Sequence, residues 1–126
     1  NRNFKLHYDF FKKLKNYFIV PKIEKNVKTN FLAYPIILKN NVNFSRKKFQ
    51  IYLEKNNIQT RPIFSGNILR HPAFRNLISS KNKLNSFKNS DYIMKNGLLI
   101  GCHQGLSMKN ISYIHSTILN FTNKNF

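Results

Sequence analysis

Residues 90–107 read SDYIMKNGLLIGCHQGLS, and the order of signals in that stretch decides the fold. Ser90 can cap a brief turn of helix over Asp91–Asn96, with Asp91 well placed at the positive end of the helix dipole. Gly97 stands where a helix C-terminus takes a residue of positive φ. Leu98–Cys102 is an apolar run of strand length. Gly101-Cys102-His103-Gln104-Gly105 then breaks the chain ahead of Ser107, which caps a last helix with Leu106 and Ile111 in staple positions. Ile111, Ile114, Ile118 and Phe121 line one side of that helix. Helix, strand and helix in succession make a mixed α and β unit.

Upstream the alternation continues. Residues 3–18 place Phe4, Leu6, Phe10, Phe11, Leu14, Tyr17 and Phe18 near helical spacing, and Pro21 closes the segment. Phe31–Leu38 (FLAYPIIL) is short and aromatic, a strand that Pro35 assigns to an edge or a bulge. Residues 45–57 form a second helix, with Ser45 as N-cap and a core stripe of Phe49, Tyr52 and Leu53. Ile58–Phe64 is a second short strand, broken by Ser65-Gly66-Asn67, and Pro72 allows a short helix through Ile78. Residues 79–90 (SSKNKLNSFKNS) form a variable polar loop. The expectation is one α+β domain over residues 1–126, with about three short, mainly antiparallel strands packed with helices.

The composition sets limits on function. Lys+Arg is 22 against 4 Asp+Glu, a formal charge of +18, which at face value predicts an anionic partner. The balance of 17 Lys to 5 Arg, beside 20 Asn, fits drift toward A+T-rich codons better than selection for phosphate recognition, where the Arg fork is favoured. The Lys residues are scattered along every segment, and no RNP-like, helix-turn-helix or KH pattern is present. A small basic nucleic-acid-binding domain is therefore the alternative reading and not the first. The single Cys102 excludes an internal disulfide and suits a reducing compartment. No apolar run approaches the ~18 residues of a membrane span. The chain opens on Asn1 and not on Met, which gives it the look of a fragment or a processed piece.

Four carboxylates (Asp9, Glu24, Glu54, Asp91) leave little for paired acid–base work, and Asp9 and Glu54 fall on Lys-rich, solvated helix faces. His7, His71, His103 and His115 show no helical metal-pair spacing. Cys102 and His103 point to opposite faces while the strand lasts, and Cys102 reads as a small core residue. Two loops gather donors. In the first, Pro62 holds Arg61 extended, Gly66 permits a turn or a close approach, and Asn67, Arg70 and His71 follow. In the second, Gly101–Gly105 ends a strand ahead of a helix N-terminus, whose free N–H groups attract anions. Such sets suit a carboxylate, a phosphate or sugar hydroxyls without choosing among them.

IQTRPIFSGNILRHPAF (58–74) followed by SDYIMKNGLLIGCHQGLS (90–107) resembles the C-terminal part of the DegT/DnrJ/EryC1/StrS family of pyridoxal-phosphate-dependent nucleotide-sugar enzymes. The branch it is most similar to contains the CDP-4-keto-6-deoxyglucose 3-dehydrases of lipopolysaccharide synthesis. His71 departs from that branch, which usually has Gln there, and His103-Gln104 stands where it often has Tyr-Pro. The resemblance implies the small C-terminal domain of a fold-type-I enzyme, with the large cofactor-holding domain outside these residues. It also implies that the Schiff-base Lys, or the His that replaces it, lies outside this chain, so no catalytic residue is assigned. The implied activity is amino transfer to a 4-keto-6-deoxy nucleotide hexose, or loss of its C3 hydroxyl, in a cytoplasmic homodimer. An iron–sulfur reductase would assist in the second case, and the isolated chain is expected to be inactive. Arg61, Phe64, Asn67, Arg70, His71, Phe31, Tyr34 and His103 are the implied substrate contacts, with Arg61 first as an anion contact.

Overall fold

The computed structural model describes residues 2–27, 29–77 and 86–125. Helix α1 spans Arg2–Lys13, strand β1 Phe18–Ile19, β2 Ala33–Leu38, helix α2 Arg46–Lys55, and β3 Thr60–Pro62. Two 3₁₀ turns, Ile68–Arg70 and Pro72–Leu77, precede helix α3 (Lys88–Asn96), strand β4 (Gly97–Gly101) and helix α4 (Met108–Lys124). The strands form one sheet in the order β1-β2-β4-β3, and every neighbouring pair is antiparallel. The expected α+β class holds, with one strand more than the sequence suggested.

The caps read from sequence are in place. Ser45 accepts from the Lys48 amide at 3.2 Å, and Ser107 with Asn110 closes a reciprocal capping box on α4. α1 ends five residues before its apolar spacing does. Phe18 pairs with Leu38 across β1 and β2, so sheet pairing overrides a helical pattern at that point. α3 begins at Lys88, so Ser90 lies inside the helix and does not cap it. The expected loop is thus helical from Lys88, while 79–85 lies outside the described residues, as does the predicted helix end at Ile78. Gly97 is extended (φ −97°), not left-handed. It is glycine because a Cβ there would sit 2.6 Å from Ile63 Cδ1 and 2.7 Å from the Ile93 carbonyl.

Alternate residues of β2 (Tyr34, Ile36, Leu38) are buried, as a strand with one face on the core requires. They meet Phe4 and Phe11 of α1, Phe49 and Leu53 of α2, and Ile114, Ile118 and Phe121 of α4. Aromatic rings run through this core without a break. Phe11 lies 5.1 Å from Tyr34 and 5.2 Å from Phe18, Phe18 5.5 Å from Phe49, and Phe49 5.1 Å from Phe121. Each such pair adds about 0.5–1.5 kcal/mol beyond area burial. The core draws on three of the four described helices. Pro35 faces Leu99 of β4 on one side, and β1 is too short to reach it on the other. That satisfies the edge expected for it.

Candidate functional site

β4 is the axis on which the candidate residues divide. Gly97 is level with Ile37, and Gly101 with Ala33. Pro62 is level with Leu98, so the loop after β3 leaves at the Gly97 end. Phe31 and His103 lie at the Gly101 end. At about 3.3 Å per residue the two ends are roughly 13 Å apart. The predicted loop contacts therefore form two groups, one at each end of the strand.

Arg61, level with Leu99 at the middle of β4, is exposed, and it is extended as its place before Pro62 requires. At the Gly97 end, Phe64 is 88% exposed and holds a positive φ of 47°, a conformation a bulky residue adopts only when its surroundings impose it. The imposing contacts are visible. Gly66 takes φ +62° and donates to the Ile63 carbonyl at 3.1 Å, and a Cβ on it would lie 2.6 Å from Met94 Cβ. The close approach that Gly66 permits is thus to α3. Asn67 is buried and accepts from the Leu69 amide, while its Nδ2 donates to Asp91 Oδ1 at 2.7 Å. Arg70 donates from Nε to Oδ1 (2.9 Å) and from Nη2 to Oδ2 (2.6 Å) of the same carboxylate. These bonds, Arg70's first and Asn67's second, hold the Asp91 carboxyl at about 2. His71 Nε2 donates to the Ser65 carbonyl at 2.7 Å. The donor groups of Asn67, Arg70 and His71, expected to face a substrate, are spent on building the loop. Phe64, with Ser65 and Ile68, is exposed on the loop, and Arg61 on β3 ahead of it makes no side-chain hydrogen bond among the described residues.

At the Gly101 end, Arg2, Asn30, Phe31, Leu32, His103 and Gln104 line an open cleft of about 520 Å³. Phe31 stacks on Phe4 with centroids 3.5 Å apart. His103 is exposed, and its carbonyl accepts from Asn3 at 2.8 Å. Cys102 is buried, donates to the Phe31 carbonyl, and has its thiol pushed up by burial, which disfavours the thiolate. The α4 N-terminus, expected to attract an anion, is closed by its own Ser107–Asn110 box. Tyr34 is 1% exposed, packed against Phe4, His7 and Phe11. Its place in the core corrects the expectation that it faces a substrate. Its hydroxyl has no hydrogen-bond partner among the described residues, and burial pushes its pKa up. Tyr34→Phe should therefore stabilise the chain or leave it unchanged, by up to about 1 kcal/mol in urea unfolding. A loss of stability would mean that the hydroxyl is bonded.

Glu54 is exposed, as expected, and also accepts from the Thr60 amide (2.6 Å) and hydroxyl (2.7 Å), which ties α2 to β3; the hydroxyl first, then the amide, lowers its pKa. Pyridoxal phosphate, which the resemblance implies, needs an anchoring amine and a carboxylate at its ring nitrogen. Asp9 and Glu24 pair with Lys5 and Lys22, both at 2.7 Å, and Glu54 and Asp91 are committed as described. Among the described lysines Lys39 alone is half-buried and the others are exposed. These residues do not fit the cofactor on their own. No described helix is long and apolar enough to cross a membrane.

Residues 1–119 match the DegT/DnrJ/EryC1/StrS aminotransferase family. The chain is 28% identical over 107 residues to the lipopolysaccharide biosynthesis protein RfbH of Salmonella typhimurium, covering 85% of this chain and 24% of RfbH. It is 27% identical over 106 residues to a dTDP-4-dehydro-2,6-dideoxy-D-glucose 3-dehydratase of Saccharopolyspora spinosa, covering 84% and 22%. Among solved structures, an E. coli GDP-4-keto-6-deoxy-D-mannose-3-dehydratase with bound hydrated PLP is similar at TM-score 0.69 and 25% identity, over 92% of this chain and 29% of that one. An aminotransferase from Psychrobacter cryohalolentis shares the fold at TM-score 0.81 and 16% identity, over 98% and 33%. The chain spans between 22% and 33% of the length of these four proteins.

Proposed function

Because the chain belongs to the DegT/DnrJ/EryC1/StrS aminotransferase family, we propose that its residues are the small C-terminal domain of a pyridoxal-phosphate-dependent nucleotide-sugar enzyme. That enzyme is an aminotransferase or a 3-dehydrase acting on a 4-keto-6-deoxy nucleotide hexose in surface-polysaccharide synthesis. The family match along nearly the whole chain carries the reading. The exposed Arg61 and Phe64, one on β3 and one on a loop that is otherwise bonded to itself and to α3, support it. In this reading the cofactor is bound mainly by residues outside these 126, and the enzyme works as a cytoplasmic homodimer. Where the reaction removes the C3 hydroxyl, an iron–sulfur reductase takes part.

Arg61 supplies a charge-assisted contact to the substrate diphosphate or to the amino donor's carboxylate. Phe64 offers an apolar face beside it. Asn67, Arg70 and His71 act through the loop they hold, and the cleft with Phe31 and His103 is a second contact region. The test is cofactor retention. The folded 126-residue chain, mixed with pyridoxal phosphate and gel-filtered, should keep no bound chromophore, whereas the longer polypeptide containing it should keep one per subunit. Tight binding by the short chain, or none by the long one, overturns the proposal.

A further inference from the structure

Two histidines that neither loop uses lie inside the helical layer. His7 of α1 is fully buried and His115 of α4 is half-buried. His7 Nδ1 is 3.0 Å from His115 Nε2, and His7 Nε2 is 3.1 Å from the Gly101 carbonyl. A carbonyl only accepts, so His7 Nε2 carries the proton. The other nitrogen of the neutral ring then accepts, and His115 Nε2 donates to it. The bonds fix both tautomers. One turn earlier, buried Asn3 donates to the carbonyls of His103 (2.8 Å) and Leu106 (3.1 Å). From one face of α1, His7 and Asn3 thus hold the 101–106 loop by its carbonyls.

The surroundings are apolar. Tyr34 of β2 lies 5.4 Å from the His7 ring, and Phe10 stacks on His115 at 3.9 Å with 3° between the planes. Phe11 lies 6.4 Å from His7 on the same helix, and β4 contributes the Gly101 carbonyl. Tyr34 is the other titratable group among these neighbours, and the only charge that acts on either ring among the described residues is that of the partner histidine. Desolvation is the first cause that lowers the pKa of both rings, and a charge on His7 lowers that of His115 further.

We propose that the His7–His115 pair is a two-step proton clasp between α1 and α4, which takes one proton without losing a hydrogen bond and parts the two helices at this point on the second, while the bonds from His7 and Asn3 to the 101–106 carbonyls remain. Both protons come from solvent. The first enters His115 Nδ1, the ring nitrogen of the four with no hydrogen-bond partner among the described residues. The imidazolium still donates from Nε2, and the positive charge strengthens that bond. The second must enter His7 Nδ1, which sets N–H against N–H across 3.0 Å and drives two like charges apart. The sign of the pH effect follows. The unfolded chain binds these protons more readily, so stability is full above the ordinary value of about 6.5 and falls as pH drops toward the folded values.

Ring ¹⁵N resonances of the 126-residue chain, followed with amide exchange of α4 from about pH 8 to about pH 3, test the clasp. Both rings should be Nε2–H tautomers at neutral pH. His115 should titrate first and below the ordinary histidine value, with the α4 amides still protected. Protection should fall only as His7 takes its proton. Either ring in the other tautomer, titration of both near the ordinary histidine value, or loss of protection with the first proton would overturn the proposal. The result is independent of cofactor binding, so it stands or falls apart from the proposed function.

Discussion

Gly97→Ala should destabilise the chain by about 2–3 kcal/mol, the upper range for forcing atoms into a packed core. The backbone is not the obstacle. Gly97 has an ordinary extended φ of −97°, and alanine there would by itself help by up to about 1 kcal/mol. The obstacle is space, since the new Cβ meets Ile63 Cδ1 at 2.6 Å and the Ile93 carbonyl at 2.7 Å. The side-chain end can swing away, but the carbonyl closes the last turn of α3 on the Gly97 amide and cannot. Ile63→Val, which removes Cδ1, separates the two. If the carbonyl is the barrier, the double variant melts no higher than Gly97→Ala alone. Full recovery in the double variant would assign the clash to Ile63, and a stable single variant would remove the argument.

Arg61→Ala, made in the full-length enzyme of the proposed function, should raise KM for the nucleotide sugar or amino donor about 10- to 100-fold. A hydrogen bond to a charged group contributes about 1.5–3 kcal/mol, and each 1.4 kcal/mol is tenfold. Arg61→Lys should restore part of this, because an ammonium keeps the charge but not the two-pronged geometry. The melting temperature of the variant should not change, since Arg61 is exposed and its interaction within the chain is a weak attraction to Glu54. An unchanged KM would remove Arg61 from the site. A fall in stability would make it part of the fold instead.

Local signals were legible in the sequence. Ser45 and Ser107 cap their helices, and Phe49, Leu53, Ile111, Ile114, Ile118 and Phe121 are buried, because caps and stripes depend on neighbours a few residues away. What was missed depends on distant partners. β1 exists because Leu38 and Ile37 pair with Phe18 and Ile19. Glu54 with Thr60, Asp91 with Arg70, and His7 with His115, 108 positions apart, leave no periodic trace. One hint was present. His7 falls on the stripe of Phe4 and Phe11, where a polar residue must find a partner or stay exposed. The candidate site divided for the same kind of reason. Strand order decides which loops share an end of the sheet, and the β1-β2-β4-β3 arrangement sends the Phe64 loop and the His103 loop opposite ways.

The outermost strands are two and three residues long, and Pro62 removes an amide from one of them. The stretch of β2 that β1 leaves uncovered is interrupted in the same way by Pro35, and short edges broken by proline are poor templates for another copy's strand. Such edges resist the lateral, ribbon-like growth that turns exposed β strands into fibres.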